Sequence, residues 1–183
     1  MKRRNVISQV TEADSSSDVK ELRRRHEEAG YRITNMKEIV LHNTVAFKSL
    51  IEGSYAVSAE LKKHIPRRSL NFFSYTVSTG NRCLICGNYF KKIVTDEGIT
   101  DFKHYPFTEE EKDLIAFAEA LAEDPNHVPD EVYERLQKRY DEETMVLLVT
   151  HAVFTLSNNY FNNIIGTPLD SYLEPYFNAD EWE

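Results

Sequence analysis

Cysteine is almost missing from this chain, with two residues in 183. Two cannot build the disulfide scaffold of a small secreted domain. Glycine and proline are scarce too, six of each, so few breakers interrupt the chain and long helices have room to form. No apolar run reaches the roughly 18 residues that a membrane-spanning helix needs. Positive charge is in deficit, with 22 Lys and Arg against 30 Asp and Glu and a formal net charge of -8. Nucleic-acid binding needs a basic face for the phosphates, so this balance argues against it. A Gly-rich phosphate loop, a G-x-S-x-G elbow and an H-E-x-x-H helix are all lacking. The basic start, Met1 to Gln9, is followed by polar residues rather than by the apolar segment of a secretory signal. The expectation is a cytoplasmic protein with neither membrane nor nucleic acid as partner.

Apolar residues make up 41% of the chain, enough to bury one core of ordinary size. Residues 1–17 read as an N-terminal arm and 18–170 as a single helical domain. Residues 171–183 read as an acidic tail carrying Tyr172, Tyr176, Phe177 and Trp182. Such aromatics suit docking against a surface, for instance a neighbouring subunit. Within the domain a helix is predicted over about 18–28, stopped by Gly30. A short one follows over 35–41, with Asn35 and Glu38 as its capping box. A longer helix over 44–63 carries Phe47, Leu50, Ile51, Tyr55 and Leu61 as an apolar stripe. Pro66 suits the first turn of a helix over 67–78, and Asn81 suits the cap of another running to about residue 94.

Residues 95–107 read as a loop. Thr108 and Glu111 form a second capping box, before Leu114, Ala118 and Leu121. Asp124-Pro125-Asn126 breaks that helix. Further helices follow over 130–140 and 142–165, the last closed by Gly166 and Pro168. From Met145 to Leu156 the last helix carries a nearly unbroken apolar stretch, which predicts burial on most sides, as for a central or interface helix. The fold class is all-α. Such a helix and an aromatic tail are hard to bury within one chain of this size, so a homo-oligomer is expected.

Both cysteines fall in one motif, Cys83-Leu84-Ile85-Cys86, at the start of a predicted helix. Residues i and i+3 share a helix face, about 5–6 Å apart at Cβ. A small adjustment brings their sulfurs within bonding reach. The free N–H groups and the positive end of the helix dipole stabilise a thiolate there. Arg82, Lys91 and Lys92 add positive charge nearby. Zinc would need two more ligands, and neither a second C-x-x-C nor a His-x₃₋₅-His pair exists, so no metal and no cofactor is expected. Two uses remain, a redox pair or two small apolar core residues. On the dipole argument Cys83 is the more acidic thiol and alkylates first. Cys86, a turn inside the helix beside Phe90, is raised by burial.

The surrounding stretch, SLNFFSYTVSTGNRCLICGNYFKKI over residues 69–93, resembles the core motif of the carboxymuconolactone decarboxylase superfamily in its alkylhydroperoxidase (AhpD)-like branch. Residues 37–68 are similar to the helical region before that motif. PFTEEEKDLIAFAEALAEDP and the later NNYFNNIIGTPLD are similar to the C-terminal half, so the resemblance spans about residues 35–170. It implies an AhpD-like helical bundle assembled as trimers or hexamers. It also implies a thiol-dependent peroxidase or disulfide oxidoreductase with Cys83 and Cys86 as the catalytic residues. The substrate would be a small hydroperoxide or disulfide, and the partner a thiol reductant protein. In the family the second cysteine meets the peroxide and the first resolves it.

The branch's proton relay is a Glu twelve residues before the first cysteine and a His four residues after the second. Those positions hold Asn71 and Phe90, and neither can transfer a proton. A weak activity is therefore implied, and with it an alternative, a non-enzymatic helical assembly or ligand-binding module on the same fold. Substitute proton-transfer groups are sought in Tyr75, one turn beyond Asn71 toward the cysteines, and in His151 and His42 on the last and an earlier helix. Tyr89, three residues after Cys86, is a further candidate. Each also suits a structural role, as packing, a hydrogen-bonded core histidine or a helix-end residue. The group Asn158, Asn159, Asn162 and Asn163 reads as hydrogen bonding at helix or subunit contacts. Lys62, Lys63, His64, Arg67 and Arg68 read as a solvent-facing basic cluster.

Overall fold

Short polar side chains open most of the helices by accepting backbone N–H bonds that the first turn leaves free. Ser16 opens α1 (Ser17–Glu28), Asn43 opens α3 (Thr44–Phe47) and Asp141 opens α9 (Glu142–Ile165). Thr108 opens α7 (Glu109–Glu123) with the reciprocal Glu111 bond of a full capping box, as its sequence predicts. The cap of α2 (Asn35–Val40) is Thr34, not the Asn35–Glu38 box. Asn35 is drawn instead to the carbonyls of Pro168 and Leu169, and Glu38 forms a two-pronged ion pair with Arg23 of α1. α3 runs through a π turn, Lys48–Glu52, into α4 (Gly53–Leu61). The remaining elements are α5 (Arg67–Gly80), α6 (Leu84–Asp96), α8 (Asp130–Gln137) and a 3₁₀ turn, Ser171–Tyr176. This computed structural model describes residues 6–11, 13, 15–179 and 182, so much of the basic start and the acidic end of the tail lie outside it. Among the described residues there is no strand, and the fold is all-α.

The centre of the bundle is α5. One of its faces sets Leu70, Phe73 and Val77 against Leu114, Phe117 and Leu121 of α7, Leu136 of α8 and Leu148 of α9. Its other face sets Phe72 against Val94 and Ile99, roofed by Phe102, Tyr105 and Phe107. Full burial of each large side chain is worth about 1.5–3 kcal/mol. A smaller cluster joins Leu22, Met36, Leu41 and Phe47 under α1 and α2. Gly80 ends α5 where a Cβ would come within 2.6 Å of the Ala122 Cβ. No side chain fits between α5 and α7 at that point.

Because α5 takes the centre, α9 is buried along one face of this chain rather than on most sides. It turns Leu148, Ala152, Thr155, Asn159 and Asn162 inward and leaves Val146, Val149, Val153, Tyr160 and Ile164 exposed. The aromatic tail docks on its own α6 rather than standing free for a neighbour. Tyr176 donates its hydroxyl to Asp96, and the Trp182 ring lies where a Cβ on Gly87 would be. Among the described residues, no helix is long and apolar enough to cross a membrane.

Candidate active site

The turn between α5 and α6 builds the cysteine site. Asn81 closes α5, donating to the Val77 carbonyl. Arg82 then takes a left-handed φ of 50°, which costs a non-glycine residue about 1 kcal/mol or more. This brings Cys83, rather than Asn81, to the cap of α6. The Cys83 N–H donates to the Ser78 carbonyl at 2.9 Å, and its own carbonyl accepts from Gly87 at 2.8 Å. Its Sγ, 3.4 Å from the Cys86 nitrogen, accepts that backbone N–H as a serine cap would. Both cysteines are free thiols.

Asn162, from α9, completes the site. Its Nδ2 lies 3.3 Å from the Cys86 Sγ and 3.4 Å from the Met36 Sδ. The side chain is buried and its Oδ1 has no partner. The Cys83 thiol is held below its ordinary value by the hydrogen bond from Cys86 and, despite burial, by the backbone N–H groups at the start of α6. Cys86 is pushed well up, because it shares its proton with Cys83, is desolvated and faces the Cys83 charge. The acidity order follows the dipole argument, and the two sulfurs titrate as one unit. As residues, Cys83 is fully buried and Cys86 keeps some exposed surface, although the Cys86 thiol itself is desolvated.

The three substitute proton-transfer groups do not reach the sulfurs. His151 Nε2 lies 3.0 Å from the Ser74 Oγ, and burial pulls its pKa down to about 4, so it is neutral at neutral pH. It stands eleven residues before Asn162 on α9, roughly 16 Å along the axis at 1.5 Å per residue. His42 is exposed, 2.9 Å from the Ser8 carbonyl oxygen in the arm. Tyr75 packs edge-on against Phe102 and lines a different cavity, of about 580 Å³, walled by α6, α7 and residues 99–107. Asn71 donates to Glu97 near the far end of α6, and Phe90 packs on Tyr89. Tyr89 is the tyrosine near the site, and a charge on Cys86 helps to raise its pKa. The sequence marks Asn162, with Asn158, Asn159 and Asn163, as hydrogen bonding at helix contacts, and does not connect it to the sulfurs. The signal for it is an amide on the inward face of α9, one turn below Asn159.

Tyr89 also lines a cavity of about 470 Å³ that continues along α6 to Glu97 and across to α2 and α4. Tyr31 and Tyr55 stack there with ring centroids 4.2 Å apart, and Tyr172 carries the Arg32 guanidinium 4.2 Å above its ring. Lys37, sequestered on the same wall at 8% exposure, donates to the Arg32 carbonyl at 2.6 Å. Burial lowers its pKa to about 8. Desolvating an ammonium costs several kcal/mol. The single carbonyl bond returns about 1.5–3 kcal/mol, and the Tyr55 ring, 5.3 Å away, returns about 0.5–2 kcal/mol. Among the described residues, no three His, Cys, Asp or Glu side chains converge as a metal site.

No protein-family model matches this chain, and no curated protein does. Solved structures do. The crystal structure of the apo debrominase Bmp8 superposes with a TM-score of 0.72 at 21% identity, covering 98% of this chain and 99% of that one. A cysteine-to-alanine variant of the same debrominase, in complex with 2,3,4-tribromopyrrole, gives 0.72 at 20% identity over 100% of both chains. At this identity the likeness establishes a shared fold over the whole length.

Proposed function

We propose that this chain is a thiol-dependent oxidoreductase of the alkylhydroperoxidase-like type, on the carboxymuconolactone decarboxylase fold. Cys83 and Cys86 deliver two electrons per turnover. The observation that carries this reading is the pair of free thiols at the start of α6, with the Cys83 sulfur accepting the Cys86 N–H and held the more acidic of the two. Cys86 attacks the acceptor while the Cys83 thiolate takes its proton, the part that Asn71 and Phe90 cannot play. With a disulfide, Cys86 forms a mixed disulfide and one thiol leaves; Cys83 then closes the Cys83–Cys86 disulfide and releases the second thiol. With a hydroperoxide, Cys86 becomes a sulfenic acid as the alcohol leaves, and Cys83 expels water. An alkoxide leaves poorly without a proton donor, whereas a thiolate leaves unaided at neutral pH. Disulfides are therefore the faster acceptors.

The fold shared with a debrominase supports a second reading, in which the two thiols become a disulfide, a carbon–bromine bond becomes carbon–hydrogen, and HBr is released. The test challenges reduced protein separately with glutathione disulfide, cumene hydroperoxide and 2,3,4-tribromopyrrole, and follows intact mass. A loss of two hydrogens mapping to Cys83–Cys86, fastest with the disulfide, is expected. Bromide release in the third arm favours the second reading. No such loss with any acceptor overturns both.

The exposed apolar residues of α9 are also assigned to contact between copies, giving the homo-oligomer that composition suggests. Light scattering at micromolar concentration should give a multiple of the 21.3 kDa chain mass, three or six by family resemblance. The double variant Val149→Glu, Val153→Glu should run as single chains. A monomeric parent protein refutes the assignment.

A further inference from the structure

The cavity that Tyr89 lines, three residues along α6 from Cys86, is more positive than the protein around it. Arg32, Lys37, Arg67 and Lys92 line it, against the carboxylates Asp96 and Glu97. Lys92 is neutralised by Asp96, and Glu97 receives the Asn71 amide. Among the described residues, Arg32, Lys37 and Arg67 form no ion pair. Asp170 is the carboxylate near Lys37 and Arg32, but it accepts the Asn35 N–H and pairs with neither. In a chain of net charge -8, three cations outside any ion pair around one concavity are a local inversion of sign. Lys37 is the sharpest case, because it is buried and its bonded partner is a neutral carbonyl. A buried cation whose direct partner is a neutral carbonyl, with its nearby carboxylate not in contact, keeps capacity for an anion.

The rest of the wall fixes the shape of that anion. Four tyrosines, Tyr31, Tyr55, Tyr89 and Tyr172, surround a space of about 470 Å³, within the range of small-molecule sites. Tyrosine faces hold planar rings by offset or edge-on stacking. We infer that this cavity binds a small aromatic anion, a single-ring carboxylate or phenolate, with its ring among the tyrosines and its charge on Lys37 and Arg67. Its place as the substrate pocket rests on the dithiol reading above; its occupation by an aromatic anion does not.

Calorimetric titration of the full reduced chain with 4-hydroxybenzoate, and with 4-hydroxybenzamide as a neutral probe of similar shape, tests this. The carboxylate should bind at least about tenfold more tightly than the amide, and binding should weaken as salt rises. Lys37→Met and Arg67→Gln should each weaken carboxylate binding about fivefold or more and leave amide binding unchanged. Arg67 is exposed, so its variant carries the decision if Lys37→Met fails to fold by circular dichroism. Equal affinity for the two probes, no binding of the carboxylate at roughly 10 mM, or carboxylate binding indifferent to the folded variants overturns the inference. The same titration on the Cys83→Ser, Cys86→Ser double variant separates the two readings. Binding that persists there, in a protein whose parent forms no disulfide, leaves the pocket standing and removes the thiol cycle. A working thiol cycle without carboxylate binding does the reverse.

Discussion

Cys86→Ser is expected to keep a thiolate at neutral pH, and Cys83→Ser is expected to lose it. In the first variant the serine hydroxyl and the N–H groups at the start of α6 still donate to the Cys83 sulfur. Thiolate absorbance should then rise with a midpoint below the ordinary thiol value of about 8.5. A depressed pKa means that the thiolate is present above that midpoint and disappears as pH falls through it. In the second variant Cys86 has lost its neighbouring base and keeps its burial penalty, so its midpoint should lie at or above the ordinary value. Each unit of separation is tenfold in thiolate at pH 7, so the two variants should differ by about tenfold or more. Reactivity will not follow ionisation alone. Cys83 has no exposed surface, so the thiolate of Cys86→Ser should alkylate slowly, and in the parent protein iodoacetamide should mark Cys86. The dipole argument by itself puts the first label on Cys83; burial reverses that order. Turnover should vanish in both variants, with Cys83→Ser trapping a mixed disulfide on Cys86. A low midpoint retained in Cys83→Ser would sink the assignment of Cys83 as the base.

Local devices were legible in the sequence, and devices shared between distant segments were not. Thr108 and Glu111 satisfy each other within one turn, so the pair announces the start of α7 wherever the helix ends up. The same pattern at Asn35 and Glu38 misleads, because each side chain has a partner elsewhere in the fold, at Pro168 and Leu169 for one and at Arg23 for the other. The apolar run of α9 signals hydrophobicity, but periodicity cannot say which helix occupies the centre, and α5 does. His151 looked available as a base because sequence alone gives no axial distance between α9 and α6; the structure sets it beside Ser74. The cysteine pair was readable as chemistry because both sulfurs lie one turn apart. Its third member, Asn162, is 76 residues from Cys86, and only the packing of α9 on α6 brings it there.

That third member supplies the most discriminating variant, Asn162→Leu, which should make the protein more stable and less reactive at once. Leucine matches asparagine in side-chain heavy-atom count and branching, so the site between Met36 and Cys86 stays filled. The buried Oδ1 of Asn162 has no partner, and an unsatisfied buried acceptor costs about 1–3 kcal/mol. The amide bonds it would give up run to two sulfurs, which are weak acceptors when neutral. Stability should therefore rise by about 1 kcal/mol, which for a chain of this size moves the melting midpoint up by about 2–4 °C. The thiol pair responds oppositely. A hydrogen bond to a charged group is worth about 1.5–3 kcal/mol, so loss of the amide donor should raise the first thiol midpoint by about one to two pK units. Asn162 lowers the pKa of both cysteines, so the change should appear whichever sulfur holds the charge. Such opposed effects mark a residue kept for chemistry at a cost in stability. If Asn162→Leu melts lower and leaves the thiol midpoint where it was, Asn162 is a packing residue, and the sulfur pair must be tuned by the α6 backbone alone.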